Sequence, residues 1–257
     1  MTPAEAEAAL RSTRSTGALI DPFTDSHTGL DERWAYETQD LDREQRLQGG
    51  ESLVGAKLGL TSQAKQVRMG VDRPIVGFLT DDMIVEPDEV ATRLATWVQP
   101  RIEPEIAFIT SRDIYRAFAD GEASSYVEFV LLAAEILDSR YAGYRFRLPD
   151  VIADNTSAAG VILAPDRHRL DALPNLAALR CEVRIDGDLV HEATGSAILG
   201  APLKSLVLLA EHVARQKQVL PAGSLVLSGA LTDAAPLDKD HRVDQSIERL
   251  GSLSIHA

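Results

Sequence analysis

The chain has a single cysteine, Cys181, among its 257 residues. An internal disulfide and a cysteine-based metal cage are therefore excluded, and the composition fits a reducing cytoplasm. Positive charge is also scarce, because 26 lysines and arginines face 39 aspartates and glutamates and leave a net charge of −13. This balance disfavours nucleic acid and anionic membranes as partners. An anionic substrate would need a local positive centre.

Long apolar runs and the common nucleotide motifs are missing as well. No segment reaches the roughly 18 apolar residues of a membrane span, and the N-terminus lacks a basic stretch followed by an apolar one. No G-x-G-x-x-G follows a strand, and there is no Walker-type glycine–lysine loop. The six histidines show no metal-ligand spacing, and no Gly-x-Ser-x-Gly elbow supports a serine hydrolase. We expect a soluble, cytoplasmic protein without a nucleotide cofactor.

Helical patterns open the chain at residues 3–14 and at about 30–47, and a Gly-Gly pair then ends the second. We therefore expect an N-terminal helical segment over residues 1–50 and a catalytic mixed-sheet domain over 51–257, together forming one structural unit.

Short strands outnumber helices in the rest of the sequence. Two helices are predicted, at about 125–137 and at 203–217. A hairpin turn is predicted at Asp186-Gly187-Asp188. Because the strands are not separated by regular helices, we expect an α+β fold with a mixed β-sheet core. The predicted strands cover residues 53–60, 83–86, 102–110, 160–164, 179–186 and 224–230.

Two carboxylates stand two residues apart in an apolar run at 102–110. On a strand, residues i and i+2 share a face, so Glu103 and Glu105 would project together. Glu135, also in an apolar setting, could complete a site for a hard cation such as Mg²⁺ or Mn²⁺. The alternative is that the pair lies on a solvated edge strand.

Lys57 interrupts a run that is otherwise made of apolar residues and glycine. It either reaches the surface or is held inside for a purpose, because full burial without a partner costs several kcal/mol. Beside a metal site, a fixed ammonium would create a receptor for a 2-oxo carboxylate.

Three other polar residues are candidates for the site. Asp154 is either an ordinary turn or helix-cap residue or a general acid/base, and in the second case Ser157 would help to bind the substrate carboxylate. Arg140 is either a clamp for the substrate anion or a salt-bridge partner of Asp138.

Six ordered blocks carry a resemblance between about residues 54 and 254. On these blocks the chain resembles the 2-hydroxypentadienoate hydratase and 4-oxalocrotonate decarboxylase family, which is related to the fumarylacetoacetate hydrolases. The blocks are GAKLGLTS at 55–62, MGV with PIVGFL at 69–79, PRIEPEIA at 100–107, EILDSRY at 135–141, ADNTS at 153–157 and LSGALT at 227–232.

The resemblance implies a fumarylacetoacetate-hydrolase-like mixed β-roll, assembled into homo-oligomers. It implies Mg²⁺ on Glu103, Glu105 and Glu135. Lys57 would lie beside the oxo-acid end of a small 2-oxo acid substrate, and Asp154 would transfer a proton.

The segment at 69–79 is similar to the decarboxylase version, since the hydratases more often have Pro-Asp-Phe-Gly where this chain reads PIVG. The preferred reaction is thus Mg²⁺-dependent decarboxylation of 2-oxohex-3-enedioate to 2-hydroxypenta-2,4-dienoate in aromatic meta-cleavage catabolism. The alternative is hydration of that dienoate to 4-hydroxy-2-oxopentanoate, and a complex with a paralogous hydratase or decarboxylase is a further expectation. The turn at 238–242 departs from the Pro-Gly-Asp usual in the family and is expected to be rebuilt.

Overall fold

The computed structural model of the chain describes residues 1–62, 66–67, 69, 71 and 73–257. Gly70 and Asp72 of the block at 69–79 lie outside the described residues. The helices within them are α1 (Pro3–Thr16), α2 (Phe23–Ser26), α3 (Glu32–Gln48), α4 (Val90–Arg93), α5 (Leu148–Ala153) and α6 (Lys204–Arg215). The strands are β1 (Leu53–Gly59), β2 (Ile75–Thr80), β3 (Arg101–Thr110), β4 (Val127–Leu137), β5 (Ala158–Leu163), β6 (Arg180–Ile185), β7 (Asp188–Thr194), β8 (Leu225–Ala230), β9 (Ala235–Pro236), β10 (Arg242–Ile247) and β11 (Gly251–His256).

The strands form two sheets. The larger sheet has the order β2-β1-β8-β3-β4-β5, with β9 paired to β3. It is mixed, because β1 and β8 are parallel while its other pairs are antiparallel. The smaller sheet, β11-β10-β6-β7, is antiparallel throughout. The predicted α+β fold with a mixed sheet is confirmed.

Local capping signals fix the ends of the N-terminal helices. Thr2 and Glu5 form a capping box at the start of α1, and Gly17 ends this helix in the left-handed conformation. Asp31 accepts a hydrogen bond from the amide of Trp34 and so caps α3. Both predicted helices are confirmed, and they share an apolar cluster with α5. The division of the chain at residue 50 stays a prediction.

The helix predicted at 125–137 is wrong, because residues 127–137 form strand β4. This run is apolar almost without interruption, and such a run carries no periodicity that separates a buried helix from a buried strand. Alternate residues of this strand, such as Leu132 and Ala133, pack into different buried apolar clusters, so both of its faces are covered. The helix predicted at 203–217 is confirmed as α6.

The strand predicted at 83–86 is also wrong. A turn of 3-10 helix occupies Asp81–Met83, and after it Ile84 forms an isolated bridge to Val161 while the Val85 amide donates to the Val161 carbonyl oxygen. The segment therefore covers the outer edge of β5. The other predicted strands are present with bounds shifted by one or two residues, and the hairpin joins β6 and β7 as expected.

The larger sheet curls until its two ends meet. Asn155, just before β5, receives a hydrogen bond of 2.9 Å from the Phe78 amide and donates one of 3.0 Å to the Phe78 carbonyl oxygen. Phe78 belongs to β2, the opposite edge strand. The side-chain amide of Asn155 therefore takes the place of a neighbouring strand and closes the roll.

The main core lies between the two sheets and under α6, and Cys181 is buried there, as predicted. The divergent turn at 238–242 lies in the smaller sheet, where the Asp240 amide donates to the Ala257 carbonyl oxygen and His241 contacts Asp186. Among the described residues, no helix combines the length and the apolar character that crossing a membrane requires.

The Gly55→Ala substitution should destabilise this fold. A Cβ atom at residue 55 would lie 1.8 Å from the carbonyl oxygen of Leu225, within the parallel pairing of β1 and β8. This overlap is relieved only if the backbones of β1 and β8 move apart. We therefore expect the free energy of unfolding, measured by urea denaturation, to fall by about 3 kcal/mol.

Gly121→Ala provides the matched control, because a Cβ atom there meets nothing within 4 Å. It should change the free energy of unfolding by no more than about 1 kcal/mol. Equal unfolding midpoints for the two variants would contradict the packing argument.

Candidate active site

Three glutamates meet on the inner face of the curled sheet. Glu103 and Glu105 share one face of β3, and Glu135 of β4 is the antiparallel partner of Glu103. One oxygen from each of the three lies within 4.8 Å of the others. β3 pairs with β4 on one side and β8 on the other, and the three residues are at most 7 % exposed. The solvated-edge interpretation of the pair is therefore wrong.

Burial makes two of these carboxylates, Glu105 and Glu135, unusually hard to ionise. It raises the pKa of Glu105 well above its usual value, and the neighbouring charge of Glu135 raises it further. Burial also raises the pKa of Glu135, against the opposing effect of Lys57. The Gly229 amide donates a hydrogen bond of 2.7 Å to Oε2 of Glu105 and so orients this carboxylate.

The cluster suits a hard divalent cation. Among the described residues, the buried oxygens Oε1 of Glu105 and Oε2 of Glu135 have no hydrogen-bond partner, although buried polar atoms are normally partnered. Carboxylate oxygens are the ligands that Mg²⁺ and similar ions prefer. A cation held by these strands would also offset the repulsion among the three charges.

Lys57 lies next to the glutamates. Its side chain is 3 % exposed, and its Nζ atom is 2.5 Å from Oε1 of Glu135. The same Nζ atom donates a hydrogen bond of 3.1 Å to the carbonyl oxygen of Thr156. Lys57 is therefore held inside the fold by two acceptors and does not extend to the surface.

The Thr156 carbonyl belongs to a strained turn. Asn155, Thr156 and Ser157 have φ angles of 46°, 53° and 61°. The left-handed region costs a non-glycine residue roughly 1 kcal/mol or more, so three in succession require strong restraints. Gly77 leaves room for the turn, because a Cβ atom there would lie 2.6 Å from Oγ1 of Thr156. The buried Oγ of Ser157 has no hydrogen-bond partner among the described residues.

Asp154 and Arg140 form a buried ion pair with each other. Nε of Arg140 is 2.6 Å from Oδ1 of Asp154, and the Arg140 amide donates a hydrogen bond of 3.0 Å to Oδ2. Burial raises the pKa of Asp154, and Arg140 opposes that effect. Asp138 accepts instead from the amides of Val98 and Gln99. Arg140 therefore pairs with Asp154, and the expected salt bridge between Arg140 and Asp138 is wrong.

Sequence reasoning missed the backbone groups of the site. The Gly229 amide and the Thr156 carbonyl carry no side-chain signature. Gly229 did fall in a family block, and its φ angle of 111° and a Thr61 side chain 2.0 Å from where its Cβ atom would lie show why glycine is needed. That block and the block at 153–157, which contains Thr156, were the available signals.

Glu105→Gln should stabilise the metal-free protein at neutral pH. A carboxyl group whose pKa is raised in the folded state contributes to stability at a pH below its pKa in the unfolded chain, which is near 4.5. This contribution is lost as the pH rises through the pKa of the folded state. Glutamine can still accept from Gly229 and carries no charge. In EDTA, urea denaturation at pH 7 should give the variant a free energy of unfolding higher by about 1 kcal/mol or more.

The difference between the two proteins should shrink on acidification toward pH 4. A difference that stays constant across the pH series would show that the charge of Glu105 is not its source.

Comparisons with known proteins place the chain in a family. Residues 52–256 match the model of the fumarylacetoacetate (FAA) hydrolase C-terminal family. A 4-oxalocrotonate decarboxylase from Pseudomonas sp. is 41 % identical over 86 % of this chain and 85 % of its own length. The 2-keto-4-pentenoate hydratase 2 of Dechloromonas aromatica is 36 % identical over 99 % of this chain and 97 % of its own length.

A solved structure shows the same fold along the whole chain. It is 4-oxalocrotonate decarboxylase from Pseudomonas putida G7 complexed with magnesium and adipate, with a TM-score of 0.91 and 28 % identity over 100 % of this chain and 98 % of the other. The predicted β-roll architecture is thereby confirmed. The chain belongs to the fumarylacetoacetate hydrolase family, in a group of related enzymes that includes decarboxylases and hydratases.

Proposed function

We propose that the protein is a Mg²⁺-dependent decarboxylase that converts 2-oxohex-3-enedioate to 2-hydroxypenta-2,4-dienoate in the meta-cleavage catabolism of aromatic compounds, with Mn²⁺ as a possible substitute ion. The observation that carries the proposal is the buried cluster of Glu103, Glu105, Glu135 and Lys57. Its support is the similarity to 4-oxalocrotonate decarboxylases, one of which was solved with magnesium and the diacid adipate.

The three glutamates would hold the cation, which would supply a Lewis acid at the oxo-acid end of the substrate. Lys57 places a second positive charge beside this position. As the bond to CO₂ breaks, its electrons move through the conjugated chain to the 2-oxo oxygen, so negative charge grows where Lys57 stabilises it. Because Lys57 is fixed by Glu135 and Thr156 before the reaction, little reorganisation is needed.

Two observations favour decarboxylation over hydration. Hydration needs a group that activates water, and both oxygens of Asp154 already accept hydrogen bonds from Arg140. In the family that the chain resembles, the hydratases more often have aspartate at the position of Ile75. In this chain, Ile75 is an apolar side chain buried on β2. The hydratase alternative keeps the support of a relative at 36 % identity.

Lys57→Met and Glu105→Gln should each lower kcat on the order of 100-fold, with a smaller effect on KM, because the opposing charge develops in the transition state. Steady-state kinetics at saturating Mg²⁺ measure this. Lys204→Met is the matched control, since Lys204 is exposed on α6. Full turnover of Glu105→Gln at low Mg²⁺ would remove this residue from the site.

The two reactions can be separated with one preparation. Purified protein with Mg²⁺ is given 2-oxohex-3-enedioate in one reaction and 2-hydroxypenta-2,4-dienoate in the other. We expect CO₂ from the diacid and no 4-hydroxy-2-oxopentanoate from the dienoate. Hydration of the dienoate without release of CO₂ from the diacid would select the alternative.

Two expectations about assembly belong to the same proposal. Homo-oligomers are expected from the resemblance, as is a complex with a paralogous hydratase that would take up the dienoate. Both remain predictions, as does a cytoplasmic location.

A further inference from the structure

The strained turn Asn155–Ser157 is held by side-chain hydrogen bonds at its start and by a backbone hydrogen bond at its end. Asp154, immediately before it, is fixed by the side chain and the backbone amide of Arg140. Asn155 is fixed by its two hydrogen bonds to Phe78. The Asp138 amide also donates a hydrogen bond of 2.9 Å to the Ser157 carbonyl oxygen. These restraints overcome the preference of non-glycine residues against positive φ.

The turn has one direct contact with the proposed catalytic group. Its central carbonyl, that of Thr156, accepts from Nζ of Lys57. Glu135, the other acceptor, is a candidate metal ligand. If Glu135 binds a cation, its hold on Lys57 weakens. The Thr156 carbonyl oxygen is then the neutral acceptor that keeps the Lys57 ammonium in place.

Asp154 is poorly suited to transfer a proton itself. It is fully buried, and both of its oxygens are engaged by Arg140. A general acid or base must reach the reacting atom directly or through one water. Hydrogen bonds from Arg140 instead hold Asp154 in place. The backbone of the turn connects Asp154 to Thr156, and the Thr156 carbonyl oxygen accepts a hydrogen bond from Lys57.

We propose that Asp154 and Arg140 are positioning residues that act on the reaction through Lys57, with the turn Asn155–Ser157 as the connection. This role replaces the proton transfer and the anion clamp that the sequence suggested for them. The kinetic test below rests on the proposed decarboxylase function, and the spectroscopic test does not.

A double-mutant cycle tests the connection. Asp154→Asn should lower kcat on the order of 100-fold with KM changed much less, because a displacement of about 1 Å is enough for a loss of this size. In a Lys57→Met background the same substitution should change kcat by no more than about twofold, since the residue through which it acts is gone. If the two losses multiply, Asp154 acts independently of Lys57 and the proposal fails.

Arg140→Lys and Asn155→Ala should follow the same pattern as Asp154→Asn. They also keep the test valid if Asp154→Asn does not fold, which circular dichroism would reveal. A large loss in Asp154→Asn together with full activity in both other variants would identify Asp154 as a proton-transfer group and overturn the proposal.

A measurement without substrate separates this proposal from the reaction assignment. The chain has five lysines, so ¹⁵N-lysine labelling gives a simple Nζ spectrum in which Lys57→Met assigns the Lys57 signal. We expect this signal to shift or broaden in Asp154→Asn and in Asn155→Ala, in Mg²⁺-containing buffer. An unchanged Lys57 signal in both variants would overturn the proposal, even if the enzyme proves to be a hydratase.

Glu7→Gln is the matched control. Glu7 is also a buried carboxylate paired with an arginine, but its partner is Arg11 on α1 and not a residue of the turn. It should lower the unfolding midpoint while leaving kcat and the Lys57 signal unchanged. Equal effects of Glu7→Gln and Asp154→Asn on that signal would reduce the role of Asp154 to general stability.

Discussion

Three carboxylates and one ammonium share a small volume inside the curled sheet, and the charge balance of that volume constrains everything around it. Glu103, Glu105 and Glu135 outnumber Lys57, and all four residues are buried. Burial and the neighbouring glutamate charges raise the pKa of Glu105 and of Glu135. Without a further cation, the site therefore favours protonation of a carboxylate. The strands that carry these residues are central and apolar, so the rest of the fold holds in place a group of charges that water would otherwise solvate.

Part of this site could be predicted from local sequence. The alternation of a strand places Glu103 and Glu105 on one face whatever the fold, and a lysine in an apolar run marks Lys57 as unusual. The opposition of Glu103 and Glu135 could not be predicted in the same way, because it depends on the register of two strands. Local pattern even gave residues 127–137 the wrong secondary structure, since a run covered on both faces has no periodicity to read.

The turn before β5 was beyond prediction for a different reason. Asparagine, threonine and serine at 155–157 suggest a cap or an ordinary turn, and nothing in them requires three positive φ angles. The conformation is imposed from outside, by Arg140 on Asp154 and by the backbone of Phe78 on Asn155. Tertiary contacts of this kind can be recognised only when distant segments are in place. The same contacts explain why the Arg140 side chain pairs with Asp154, although Asp138 is nearer to it in the sequence.

The closure of the roll by Asn155 has a consequence for association between chains. An edge strand with free amides and carbonyls is a template on which another chain can add a strand. The Asn155 side chain occupies the amide and the carbonyl of Phe78 on β2, and the segment at Val85 covers β5 at the other edge. Both borders of the larger sheet are thus partly shielded against edge-to-edge aggregation. Among the described strands, β7 and β11 form the borders of the smaller sheet, and any extension of a sheet from one copy to the next would be expected there.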